Sequence, residues 1–93
     1  MTTLKEIRVQ RLTEKLFNRC DYYIETLKSV QLDYISEKIN HKQAYKLYSK
    51  KIGNLSIYIR LIESIGNINN IEIADRFLDV NFEFKGIIMF FEC

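Results

Sequence analysis

Ninety-three residues suffice for one domain with one modest core and leave no room for a second. With 47% hydrophobic and 28% charged residues the composition is that of a globular domain, which excludes a disordered tail. A formal net charge of +2 is too small to mark a polycation, but the charge is spread unevenly. Residues 1–20 carry five basic and two acidic side chains, and residues 37–60 carry six basic against Glu37 alone. Residues 61–93 invert this, with six acidic side chains against Arg76 and Lys85, so the expectation is a polarised surface.

The first predicted element is the longest. Val9, Leu12, Leu16, Cys20, Tyr23, Leu27, Val30 and Tyr34 recur at intervals of three or four, which aligns them on one face of a helix over residues 4–35. Phe17, Ile24 and Ile35 widen that face to what a helix in a globular core needs. No Gly or Pro precedes Gly53, so nothing breaks the pattern, and a helix of this length extends for ~45 Å at ~1.5 Å per residue. Everything after it is expected to pack along it.

The rhythm falters at Ser36-Glu37-Lys38, and a helix start follows. Asn40 is placed to cap, Gln43 to complete a capping box, and Ile39 with Ala44 to form the hydrophobic staple. The second predicted helix covers 41–52 and stops at Gly53, which suits a left-handed residue after a helix. Residues 55–65 fit a helix through Leu55, Tyr58, Ile59, Ile62 and Ile65, and a strand through alternation of Leu55, Ile57, Ile59 and Leu61; the helix-stop and helix-start signals around them favour helix. Asn69 and Glu72, with Ile68 and Ile73 as staple, predict a fourth helix reaching Val80. Over 81–93 the pattern stays open, because Val80-Asn81-Phe82-Glu83-Phe84 alternates and Lys85-Gly86 suits the turn of a β-hairpin. The expected fold is therefore mainly α: one domain over 1–93, a bundle of about four helices organised on the first, with a C-terminal β-hairpin as the variant.

Residues 5–11 include Lys5, Glu6, Arg8 and Arg11 where a secretory signal would have its apolar stretch, and no run approaches the ~20 apolar residues of a membrane span. Cys20 and Cys93 have neither metal-ligand nor disulfide-framework spacing; Cys20 reads as a buried free thiol, and Cys93 as able to pair only in an oxidising setting. A cytoplasmic protein is the expectation.

Signatures of catalysis are sparse. His41 is the sole histidine and the glycines at 53, 66 and 86 are isolated, so neither a histidine metal cluster nor a phosphate-binding glycine loop is encoded. Cys20 and His41 have no spacing that recommends a nucleophile and base, and Asp75 with Asp79, one turn apart, reads as a solvated helix face. The chain is expected to be no enzyme and to use no cofactor and no metal.

Binding is the better-supported class. Lys5, Arg8, Arg11, Lys15 and Arg19 recur every three or four residues, and Lys38, Lys42, Lys46 and Lys50 every four, giving two basic stripes. Their relative placement is left open by the sequence. The run Ile87, Ile88, Met89, Phe90 and Phe91 requires burial in the core, against a second copy or against a partner, with Asp75, Asp79, Glu83 and Glu92 around it favouring a basic partner. Short helical chains without catalytic residues include immunity proteins, antitoxins and anti-defence inhibitors, an analogy of size and style alone. The leading expectation is a non-catalytic neutralising, inhibitory or adaptor module that binds another protein, or itself as a homodimer. The alternative is a small nucleic-acid-binding regulator working through the basic stripes.

Overall fold

The computed structural model describes residues 3–69 and 74–92, which form three helices: α1 (Leu4–Ile35), α2 (His41–Asn69) and α3 (Ala74–Glu92). There is no strand among the described residues. The mainly α expectation holds. The four-helix count and the C-terminal hairpin do not.

α1 has the bounds its apolar rhythm predicts. It begins at a capping box that the sequence reading passed over: the Thr3 hydroxyl accepts from the Glu6 amide at 3.2 Å, and the Glu6 carboxylate accepts from the Thr3 amide at 3.4 Å. It ends in a Schellman arrangement. The Lys38 amide donates to the Asp33 carbonyl at 2.9 Å and the Glu37 amide to that of Tyr34 at 3.1 Å, with Glu37 in the left-handed region at φ 63. The predicted entry to α2 is present as read: the Gln43 amide donates to Asn40 Oδ1 at 2.8 Å, and the Asn40 amide to Gln43 Oε1 at 3.0 Å.

The predicted second and third helices are one. Gly53 does not adopt a positive φ and α2 runs straight through it, as it does through Gly66. Gly53 is on the exposed side, where an added Cβ would meet nothing within 4 Å, so it neither turns the chain nor permits a close approach. A helical glycine costs about 1 kcal/mol relative to alanine. Burial of Ala44, Tyr48, Leu55, Ile59 and Ile62 in one unbroken register on both sides of it outweighs that penalty. The same packing settles 55–65 as helix. Of the predicted cap and staple before the last helix, Ile68 and Asn69 are the final residues of α2, and Glu72 and Ile73 lie outside the described residues.

α3 continues through Lys85-Gly86 to Glu92, which overturns the hairpin. An isolated two-stranded hairpin is marginal in water. Helical phase instead lines up Phe77, Val80, Phe84, Ile87 and Phe91 on one stripe against α1 and α2.

The core consists of Phe17, Cys20, Ile24 and Leu27 from α1, Tyr48, Leu55, Ile59 and Ile62 from α2, and Val80 and Ile87 from α3. Its line is rotated from the predicted one. Phe17 and Ile24, expected at the margin, are buried, whereas Leu12 is 48% exposed. The cause is that α1 serves two partners, so its deepest positions face the seam between α2 and α3. Stacking of Tyr23 on Tyr58 and edge contact of Tyr34 with His41 set α1 and α2 antiparallel. α3 runs parallel to α1: Arg76 reaches Asn18 and Asp21, Lys28 pairs with Glu83 at 2.9 Å, and Phe90 meets Tyr34.

The molecule measures 54 × 19 × 18 Å with a radius of gyration of 15.5 Å. A compact chain of this length has ~12 Å. Side chains at positive φ cost ~1 kcal/mol or more, a penalty glycine avoids. Glu37→Gly is accordingly expected to raise the thermal midpoint by about 4–8 °C, the shift ~1 kcal/mol produces in a domain of this size, as read by circular dichroism.

Candidate functional site

α3 is apolar on two sides. Opposite its core stripe, Leu78, Phe82 and Met89 stand four and seven residues apart and so on one line, 65%, 78% and 64% exposed. Scattered exposed apolar residues are ordinary, but three large ones aligned on one helix are not, since α3 already buries a full apolar stripe on its other side. Asp75 and Asp79 border this line, both exposed and in no ion pair among the described residues. Their neighbours are engaged. Arg76 turns away onto α1, where its guanidinium lies 4.8 Å from the Phe17 ring and donates to Asn18 at 3.2 Å and to Asp21 at 3.1 Å. Glu83 is held by Lys28. Asp75 is favourable in the first turn of α3 through the helix dipole; Asp79 has no such role.

The run singled out by sequence divides accordingly. Ile87 is core at 2% exposure, Ile88 and Phe91 are half-buried, and Met89 and Phe90 remain exposed. Phe91 stacks on Tyr48 with ring centroids 4.5 Å apart, and beside it the Tyr45 hydroxyl donates to Glu92 at 2.9 Å. These contacts fasten the end of α3 to the start of α2. Ile87 is thus no interface residue, because the helical phase that aligns it with Val80 and Phe84 carries it inward. Phe82 escapes the sequence pattern because 81–93 is open between helix and hairpin; Leu78, inside the predicted fourth helix, stands out only once α3 continues and brings Phe82 and Met89 into line with it.

The first basic stripe is intact. Lys5, Arg8, Arg11, Lys15 and Arg19 are all exposed, and among the described residues their side chains enter no ion pair and no cation–π contact. Arg19 is two residues from both Phe17 and Asp21, hence ~200° around the helix from the side that α3 covers. The row therefore faces away from α3. Each successive pair in it is separated by three or four residues, the spacing at which like charges destabilise a helix by about 0.2–0.5 kcal/mol apiece. Lys5, in the first turn, also opposes the positive end of the helix dipole. Of the nearby carboxylates, Glu6 is occupied in the capping box and Glu14 pairs with none of the five.

Lys42, Lys46 and Lys50 are exposed on α2, and Lys38 in the connection before it. The antiparallel register puts them beside the C-terminal half of α1, since His41 meets Tyr34 and Lys51 lies over Tyr23. The first stripe thus lies along the N-terminal half of α1 and the second beside its C-terminal half, with Lys50 coming level with Tyr23, about one turn beyond Arg19.

Cys20 is a buried free thiol, as expected. Burial pushes its pKa up to about 11, with the Asp21 carboxylate adding to the rise and Arg76 opposing it. Tyr48 is pushed up to about 12, again by burial first and by Glu92 second. Cys93 lies outside the described residues. His41 is exposed, packed between Tyr34 and Tyr45. Among the described residues no group of three His, Cys, Asp or Glu could hold a metal ion, and no helix is long and apolar enough to cross a membrane. A shallow groove between α1 and α3 is lined by Asp21, Glu25, Lys28, Arg76, Asp79 and Glu83, and the two interhelical ion pairs straddle it.

No protein-family model, curated protein or solved structure matches the chain.

The division of the run 87–91 has a measurable counterpart. Ile87→Ala should cost about 2–4 kcal/mol in urea unfolding through cavity formation, and Met89→Ala within ~0.5 kcal/mol of nothing. The unfolded chain ionises Cys20 near 9.0 and Tyr48 near 10.0, whereas the folded chain keeps both protons to about 11 and about 12. Stability conferred by the protonated forms is present below pH 9 and lost as pH rises through that window. Urea midpoints should therefore fall between pH 8 and pH 10.5, and less so in Tyr48→Phe.

Proposed function

We propose that this chain is a non-catalytic protein-binding module of neutralising, inhibitory or adaptor type. Its binding surface is the outward line of α3: Leu78, Phe82 and Met89, edged by Asp75 and Asp79. The single observation that carries this reading is the second apolar stripe of α3, exposed opposite the one that forms the core. Large apolar anchors at the centre with charge at the rim are the anatomy of protein interfaces, and aromatic side chains such as Phe82 are enriched there. The two unpaired carboxylates favour Lys or Arg where the partner faces the start of α3, and the exposed Lys85, on the same line between Phe82 and Met89, favours a carboxylate or carbonyl opposite the other end. Opposite charge at the rim speeds encounter and rejects like-charged surfaces. Binding is itself the activity in this reading, either by covering a working surface of the partner or by joining it to something else.

Substitutions on an exposed line leave the fold alone, so the reading is open to a clean test. Tagged wild-type chain is expected to recover one dominant protein from its native cells. Phe82→Ser should abolish that recovery with an unchanged thermal midpoint, and the pair Asp75→Asn and Asp79→Asn should weaken it and flatten its salt dependence. Equal recovery by wild type and Phe82→Ser would sink the reading. Recovery of untagged copies of the same chain alone would replace it with self-association through α3.

A further inference from the structure

A different surface, independent of α3, carries its own ligand chemistry. We infer that the row Lys5, Arg8, Arg11, Lys15 and Arg19 on α1 binds the phosphate backbone of a nucleic-acid duplex.

The inference starts from what the row does to the protein without a ligand. Five exposed cations follow one another at helical-neighbour spacing, with no carboxylate paired to any of them among the described residues. Lys5, in the first turn of α1, also opposes the positive end of the helix dipole. Solvation of a helix surface calls for charge of either sign, and α1 uses both elsewhere: Asp21 and Lys28 each hold a counter-charge from α3. An unmixed row repels itself, and an anion lying along it removes the repulsion.

The shape of the row selects among anions. From Lys5 to Arg19 it extends ~21 Å along a straight helix at ~1.5 Å per residue. That length matches about six base pairs of duplex at ~3.4 Å each, so the row is long enough to meet several phosphates at once. Three of the five cations are arginine, whose planar fork grips phosphate oxygens bidentately. An anionic membrane surface fits less well, because an amphipathic helix lying on lipid needs its apolar face free. Here Phe17, Cys20, Ile24 and Leu27 of that face are the core. An acidic protein fits less well too, since protein interfaces keep charge to the rim, and this ridge has a cation at every turn with Leu12 as its one large apolar neighbour in that stretch after Leu4. Binding through phosphates positions a duplex without reading its sequence.

Fluorescence anisotropy of a labelled 20-base-pair DNA duplex of mixed sequence, from 50 to 300 mM salt, tests this. If all five cations meet phosphates, the logarithm of the binding constant should fall with the logarithm of salt at a slope of about −4.5. The pair Arg8→Gln and Arg11→Gln should weaken binding at 50 mM salt and shallow the slope by about two, while keeping or raising the thermal midpoint because three neighbouring repulsions are relieved. The triple Lys42→Gln, Lys46→Gln and Lys50→Gln, beside the C-terminal half of α1, should move affinity and slope less than Arg8→Gln with Arg11→Gln, and Phe82→Ser should leave both unchanged. An RNA duplex run in parallel identifies which polymer is held more tightly, and this slope with either one supports the inference. No binding at 50 mM salt, a slope unmoved by Arg8→Gln and Arg11→Gln, or vesicles of phosphatidylserine outcompeting duplex at equal phosphate would overturn it. The Phe82→Ser control separates this outcome from failure of the protein-binding reading, which rests on α3 alone.

Discussion

The seam between α1 and α2 is the constraint on which the rest of the molecule depends. Two helices of 32 and 29 residues bury a continuous line against each other, with Cys20 and Leu27 on one side and Leu55 and Ile62 on the other fully out of solvent. The line is antiparallel and nearly as long as the molecule, so it fixes which residues of α1 and α2 are neighbours along its whole length. α3, with 19 residues, is too short to cover it all. It docks at the level of Phe17 to Tyr34, through the Arg76 contacts at one end and the Phe90, Phe91 and Glu92 contacts at the other. Polarity along the rod follows: three-helical and aromatic at one end, with the basic half of α1 at the other.

How legible this was depends on the range of the signal. The bounds of α1 and the Asn40–Gln43 entry to α2 are short-range statements, one of periodicity and one of capping chemistry, and both are present as read. Gly53 is also a short-range signal, and it misled. Its meaning as a stop requires a positive φ that only the local chain would impose, whereas the register shared with α1 holds it helical. Residues 81–92 failed differently. Val80 to Phe84 alternates as a strand does, and the helical phase becomes visible only once α1 and α2 offer a groove for Val80, Phe84, Ile87 and Phe91. The candidate surfaces divide on the same principle. The basic stripe on α1 lay on a helix predicted over its whole length and is in place; the apolar line on α3 crosses from a predicted helix at Leu78 into residues 81–93, which the pattern left open.

The distribution of ion pairs adds to this picture. Lys28 with Glu83 and Arg76 with Asp21 join α3 to α1, each partner roughly half exposed, and such pairs contribute at most about 1 kcal/mol. Their larger role is in register, because they bracket Val80 and hold α3 at one height on α1. The charges of this molecule thus serve two ends. Those between helices pair opposite signs, and those on the outer sides gather by helix, cations along the N-terminal half of α1 and the start of α2, and the carboxylates Asp75 and Asp79 on α3.

Elongation has a consequence for how the molecule behaves in solution. An axial ratio near three means that an 11.1 kDa chain tumbles anisotropically and drags more water than a sphere of its mass. On a size-exclusion column calibrated with compact proteins a monomer would leave early, at a volume suggesting a larger species. Scattering-derived mass, being indifferent to shape, is the quantity that distinguishes one rod from two.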